Sequence, residues 1–167
     1  MNYMYIDKAS VSDGLGVRVV LWVSGCNLKC PGCQNPESWD FNAGEVFDDA
    51  AKHDLFEALR KPWIKGITFS GGHPLENQNY ECVMSIIEEI KDAMPDKDIW
   101  LYTGFELSYD DILESKRLLS QCDVIVDGPY RKELRDITLA FKGSSNQRII
   151  DVKQSLEQGR TVLLDIV

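Results

Sequence analysis

No stretch of this 167-residue chain approaches the roughly 18 consecutive apolar residues that a membrane span requires. The opening MNYMYIDKAS has no basic segment leading into an apolar run, so it does not read as an export signal. A soluble, cytoplasmic protein with no membrane partner is expected. Positive charge is also short: 18 Lys and Arg against 27 Asp and Glu leave a net charge of -9. Such a surface does not attract polyanions over long range, which argues against sequence-independent nucleic-acid binding and favours a small molecule or a protein as partner. Charges of both signs alternate and form no like-charge block. Repeats, low-complexity tracts and a Pro/Gly/Ser-rich linker are missing as well, so residues 1–167 are expected to form one domain. The five cysteines are odd in number and follow no export signal, which makes a disulfide framework a poor reading. Three of them are tightly clustered and ask for a metal.

What is present is a recurring pattern. Short apolar runs end in glycine-bearing turns at VRVVLWVSG (17–25), GITFSGG (66–72), DIWLYTG (98–104) and DVIVDG (123–128), and each reads as a buried strand. Between them, helical periodicity covers about 45–60, 78–93 and 108–120, the last opening on Ser108 as a cap. Alternating strand and helix predicts an α/β fold with a parallel sheet. Towards the end, a strand at 148–152, a short helix at 153–158 and a final strand in TVLLDIV are expected. A closed eightfold barrel would need about 250 residues. An incomplete, open (β/α) barrel of about four to six parallel strands is therefore expected, with its ligand at the carboxyl ends of the strands.

Cys26, Cys30 and Cys33 form C-x3-C-x2-C directly after the first of these runs, with Pro31 and Gly32 favouring the reversal that lets three sulfurs converge. Two readings stand. Three thiolates can ligate three irons of a 4Fe-4S cluster and leave the fourth open for a substrate. Alternatively they hold zinc with a distant fourth ligand, Cys82, Cys122, His53 or His73, as in a zinc-stabilised binding module, although no second ligand pair is present.

With DGLGVRVVLWVSG before the cysteines and SGGHPL after the next strand, the chain resembles the radical S-adenosylmethionine superfamily and its glycyl-radical-enzyme activases. CPGCQNPESW, WLYTGF, VDGPY and above all KGSSNQRIIDV narrow the resemblance, over about Asp13 to Val152, to the activating proteins of anaerobic ribonucleoside-triphosphate reductase. That resemblance implies a barrel of the radical S-adenosylmethionine type and two cofactors, a 4Fe-4S cluster on Cys26, Cys30 and Cys33 and S-adenosylmethionine. It implies reductive cleavage of the latter to methionine and a 5'-deoxyadenosyl radical, which takes hydrogen from a glycine of the reductase large subunit. An electron donor such as a flavodoxin is implied too. The alternatives are activation of another glycyl radical enzyme, or a small-molecule enzyme of the superfamily such as a deazaguanine synthase, against which GSSNQR argues.

The resemblance also assigns a cradle for S-adenosylmethionine. Gly71 and Gly72 let backbone approach the methionine amino group. His73 stands where related sequences often carry a carboxylate. Thr103 and Asp127 end the third and fourth runs, and Asp127 would accept from ribose hydroxyls; an Asp-Gly turn is the structural alternative. Gly32, Cys33 and Gln34 would lie beside the adenine, although Gly32 cannot stack on it. Arg148, with Asn146, would neutralise the methionine carboxylate or meet the partner, the alternative being a surface ion pair. Trp22, Trp63 and Trp100 read as core, Trp39 with Phe41 as a lid or partner contact, and Cys82 and Cys122 as inert core residues.

Overall fold

The structure is a computed structural model that describes residues 1–115 and 117–166. Seven strands form one sheet in the order β3-β1-β2-β4-β5-β6-β7, with edges at β3 and β7 that do not meet. They are β1 (Asn2–Ser10), β2 (Arg18–Val23), β3 (Glu45–Val46), β4 (Gly66–Gly71), β5 (Asp98–Tyr102), β6 (Val124–Asp127) and β7 (Arg148–Asp151). The helices are α1 (Asp49–Leu59), α2 (Asn77–Ala93), α3 (Tyr109–Glu114) and α4 (Val152–Gln158).

The four glycine-terminated runs become β2, β4, β5 and β6, which are mutually parallel. They are mostly apolar because both faces are covered, as parallel strands require, with Arg18, Thr68, Ser70 and Asp127 as buried polar exceptions. Val19, Leu21 and Val23 of β2, Ile67 and Phe69 of β4, Ile99 and Leu101 of β5 and Ile125 of β6 meet Leu55 and Leu59 of α1 and Val83, Ile87 and Ile90 of α2. The alternate residues, Trp100, Val124 and Val126, form a smaller cluster on the opposite face with Ile149, Tyr102 and Phe141. Side chains of that helix-free face point into the space where the site lies. α1 starts on Asp48, whose carboxylate accepts from the Ala51 amide, and Ser108 caps α3 in a reciprocal pair with Asp111, as expected for that serine.

Three expectations need correction. The sheet is mixed: β1 is antiparallel to β2 and β3, and β7 is antiparallel to β6. β1 escapes a search for apolar runs because it is a half-exposed strand with two register irregularities. TVLLDIV forms no strand among its described residues; Leu163 makes an isolated bridge to Ile150 and the Leu164 amide reaches Ile149. Of the tryptophans read as core only Trp100 is sealed, at 1% exposure, whereas Trp63 is 64% exposed and Trp22 stacks on Tyr5 in a cavity wall. Cys122 is buried and Cys82 is packed against the main core, as expected. No helix among the described residues is long and apolar enough to cross a membrane.

Arg18 closes the amino end of the helix-free face. Its guanidinium is fully buried over the Trp100 ring, paired with Asp98 at 2.6 Å, and donates to Thr68 Oγ1 and to the Leu15 and Ile67 carbonyls. The loop from 11 to 17 is thereby pinned to the sheet.

Candidate active site

The chain leaves β2 and reverses at Gly25, whose positive φ of 95° and contact with the Phe41 ring leave no room for a Cβ. Two backbone bonds, Gly25 N–H to Ser38 O at 2.7 Å and Cys26 N–H to Trp39 O at 3.1 Å, stitch the start of the loop to its far end. Within it, Cys33 N–H closes a turn on Cys30 O and Asn35 N–H reaches Cys33 Sγ at 3.4 Å. Cys26 is buried, while Cys30 and Cys33 are partly exposed. All three line one cavity of about 600 Å³ at the carboxyl end of the parallel strands. Burial pushes the Cys26 thiol up, and the Leu28 and Lys29 amides at its sulfur oppose that shift.

The donor set fits a cluster better than a single ion. Three thiolates on one loop are the protein ligands that a 4Fe-4S cluster with one open iron takes, and a single tetrahedral zinc would need a fourth. The candidate fourth zinc ligands are elsewhere or engaged. Cys122 points its thiol at Leu118 O, Cys82 is packed on the core from α2, His53 stands exposed on α1, and His73 is bonded to Thr103. The indole N–H groups of Trp22 and Trp39, two residues of the cavity wall, are buried with no protein acceptor among the described residues. Orphan donors beside a cavity suit a ligand rich in acceptors, such as sulfide or carboxylate.

The SGGH turn forms the next wall. Gly71 has φ of 98°, and a Cβ there would stand 2.7 Å from Val23 O; at Gly72 it would stand 2.6 Å from Gly25 O. Backbone bonds from Gly72 to Val23 and from His73 to Gly25 hold this turn directly against the start of the cysteine loop. Asn79, buried on α2, ties the same two segments by donating to Ser24 O and His73 O. His73 is 1% exposed, with Nε2 2.8 Å from Thr103 Oγ1 and Nδ1 3.4 Å from Glu76 Oε1. Burial lowers its pKa against the opposing pull of Glu76, so the ring is neutral near pH 7.

Gly71→Ala is expected to lower unfolding stability by about 2–3 kcal/mol, from forbidden backbone geometry and the clash with Val23 O together. Gly159→Ala is the control: φ is also positive there, but nothing stands within 4 Å, and a cost of about 1 kcal/mol follows. Urea denaturation of the two variants checks the order; equal costs would mean that the strand-end turn relaxes freely.

Of the residues expected at the site, Cys26, Cys30, Cys33, Gln34, Gly71, Gly72, His73 and Thr103 line the cavity, and Gly32, Asp127 and Arg148 do not. Gly32 turns the exposed tip of the loop with φ of 73°, beside the Lys132 stem. Asp127 is fully buried; Oδ1 accepts from Arg148 Nε at 2.9 Å, and Oδ2 accepts from Leu107 N–H at 2.8 Å and from Arg148 Nη2. That charge-assisted hydrogen bonding to Asp127 outweighs partial burial and raises the Arg148 pKa further. As placed, the two satisfy each other instead of opening on the cavity. Sequence reasoning missed Trp22, Tyr102 and Gln147 as wall residues. For the first two the signal was available: Trp22 aligns with Ser70 across β2 and β4, and alternation brings Tyr102 to the same face.

A family model described as a 4Fe-4S single cluster domain matches residues 12–150, which contain the cysteine loop and every cavity wall except Tyr5 and Asp7. An anaerobic ribonucleoside-triphosphate reductase-activating protein of Haemophilus influenzae is 40% identical over 151 residues, covering 89% of this chain and 97% of that protein. Proteins of the same name from Enterobacteria phage T4 and Escherichia coli K12 are 40% and 37% identical, covering 89% and 88% of this chain and 93% and 96% of theirs. Likeness that runs nearly end to end in both directions leaves little of either chain unmatched, and on it the chain belongs to the family of anaerobic ribonucleoside-triphosphate reductase-activating proteins, built on a single-cluster 4Fe-4S domain.

Proposed function

We propose that this chain activates an anaerobic ribonucleotide reductase by generating its glycyl radical, with a 4Fe-4S cluster held by Cys26, Cys30 and Cys33 and S-adenosylmethionine bound beside it. The observation that carries this reading is the opening of all three cysteines of one loop onto a cavity of about 600 Å³, large enough for a nucleoside-sized ligand. Cys26, Cys30 and Cys33 would hold the cluster, which when reduced would supply the electron for reductive cleavage of S-adenosylmethionine and so the hydrogen-abstracting chemistry that makes the reductase glycyl radical.

The chain's own residues bind and orient. The backbone of Gly71 and Gly72, packed against Val23 and Gly25, receives the amino-acid end of S-adenosylmethionine. Thr103 Oγ1, next to neutral His73, offers an acceptor to its ammonium group. Gln34 and Cys33 border the adenine, and Trp22, Trp39 and Tyr102 keep water from the reacting centre. Asp127 and Arg148 act from behind, by fixing the strand ends that carry Thr103 and Gly128. The sheet is read as part of an open barrel of the radical S-adenosylmethionine type, and a reduced flavodoxin in the cytoplasm as the electron donor.

The test is anaerobic reconstitution with iron and sulfide, reduction, and electron paramagnetic resonance. A 4Fe-4S signal that shifts on adding S-adenosylmethionine, followed by a glycyl radical signal on added reductase, is expected. Cleavage of S-adenosylmethionine without radical transfer would remove the reductase as partner. Zinc-loaded protein without a cluster signal would remove the chemistry.

A further inference from the structure

The cysteine loop is stitched at its ends, but its middle has few ties. Among the described residues, the hydrogen bonds that tie residues 27–32 to segments beyond the cysteine loop itself are two, and both end on one carboxylate. Asn27 N–H donates to Glu76 Oε1 at 2.8 Å, and Asn27 Nδ2 donates to Glu76 Oε2 at 2.9 Å. Asn27 directly follows Cys26, so this two-pronged grip acts one residue from a cluster thiolate.

Glu76 occupies the N-cap position of α2, where a side chain ordinarily accepts from its own helix, yet it makes no capping bond there. The amino end of the 17-residue helix still favours the negative charge. Partial burial opposes ionisation, but the bonds from Asn27 and the neighbouring His73 hold the Glu76 carboxyl below the ordinary range. The carboxylate therefore faces the loop as a fixed acceptor.

The connection continues on the other side. His73 Nδ1 lies 3.4 Å from Glu76 Oε1, which places the ring proton on Nδ1 and leaves Nε2 to accept from the Thr103 hydroxyl. Thr103 Oγ1 in turn accepts from Phe105 N–H. A polar line thus runs from the residue after Cys26, through Glu76 and His73, to the end of β5. The loop it restrains contains Lys29 at φ of 45°, a conformation a non-glycine residue does not hold without support.

We infer that Glu76 is a positioning residue for the cluster-binding loop: through Asn27 it fixes Cys26 against the SGGH turn and so sets how firmly the cluster is retained. This rests on the reading that the three cysteines hold a 4Fe-4S cluster. Glu76 touches neither cluster nor substrate, and its action is geometric.

The experiment follows iron release to a chelator from anaerobically reconstituted wild type, Glu76→Ala, Glu76→Gln and Asn27→Ala, with thermal unfolding of each unloaded protein alongside. Glu76→Ala is expected to lose iron about 10-fold faster or more, the range in which supporting partners of metal ligands act. Glu76→Gln keeps the Oε1 acceptor, and a turned Asn27 amide can pair with its NH2, so release stays within a few-fold of wild type. Asn27→Ala, which keeps the backbone arm alone, falls between. Because Glu76 makes no capping bond, the unloaded variants lose only its charge at the helix end and its bonds to Asn27, and they unfold within about 2–4 °C of wild type. Wild-type release rates in Glu76→Ala, or faster release matched by an equal loss of stability in the unloaded chain, overturns the inference; should Glu76→Ala not fold, wild-type release in Asn27→Ala does so. Wild-type protein that takes up no cluster overturns the underlying reading as well.

Discussion

Alanine at Cys26, Cys30 or Cys33 is expected to abolish cluster uptake and glycyl radical formation, and alanine at Cys82 or Cys122 to leave both intact. The three loop cysteines face one cavity; among the described residues Cys82 and Cys122 do not line it, and His73, which does, is engaged by Thr103 and Glu76. A cluster held by two thiolates would expose a second iron to solvent, and its iron and sulfide would leave during desalting. Cys122 lies on the far side of the sheet, fully enclosed, and burial pushes its thiol up to about 12, so it remains protonated and unreactive. Its replacement costs about 1 kcal/mol of packing and nothing in cluster content. Iron and acid-labile sulfide assayed on all five variants check this. Full iron content in Cys30→Ala, or a cluster lost from Cys122→Ala, would show that the ligand set is wrong.

Sheet strands were legible in proportion to their burial. β2, β4, β5 and β6 are covered on both faces, so their apolar runs stand out against the polar turns that follow. β1 is partly covered to exposed along most of its length with no regular alternation, and two register irregularities interrupt its pairing with β2. Strand direction left no mark in composition: RIID reads the same whether β7 runs with β6 or against it. The clue lay in the connection, since residues 128–147 carry no α-helix of the kind a parallel crossover uses. The cysteine loop was legible as a metal site from its spacing, and the choice of a cluster and the role of the glycine turn came from the resemblance. The pairing of Asp127 with Arg148 was not, because it exists only through the antiparallel register that sets those two residues opposite each other.

The same register explains what the SNQR segment does. Asn146 Nδ2 donates to Pro129 O, Gln147 Nε2 to Gly128 O, and Arg148 to the Asp127 carboxylate. Three consecutive side chains thus take three consecutive residues at the exit of β6. Gln147 Oε1 also accepts from the Gly143 and Ser144 amides, closing its own turn. Gly128, Tyr130 and Gly143 border the cavity together with Gln147 itself, so Asn146 and Arg148 shape its wall from behind.

Arg148→Met is expected to destabilise the protein more than Asp127→Asn does, and Asp127→Asn to recover part of the loss when both are combined. Asp127 is sealed and the Arg148 side chain is 36% exposed, so the pair is asymmetric. Removing the arginine leaves a carboxylate without water and with Leu107 N–H as its remaining donor, near the lower end of the roughly 3–5 kcal/mol seen when a buried pair loses one partner. In Asp127→Asn the amide oxygen still accepts from Leu107, and Arg148 can turn towards solvent while keeping its bond to Leu107 O, at a cost of about 1–2 kcal/mol. The double variant holds no uncompensated buried charge, so it should lie above Arg148→Met in stability. Urea unfolding of the three variants supplies the comparison. Equal single-variant losses that simply add would mean that solvent already reaches Asp127, and that Arg148 holds the end of β6 by its bond to Leu107 alone.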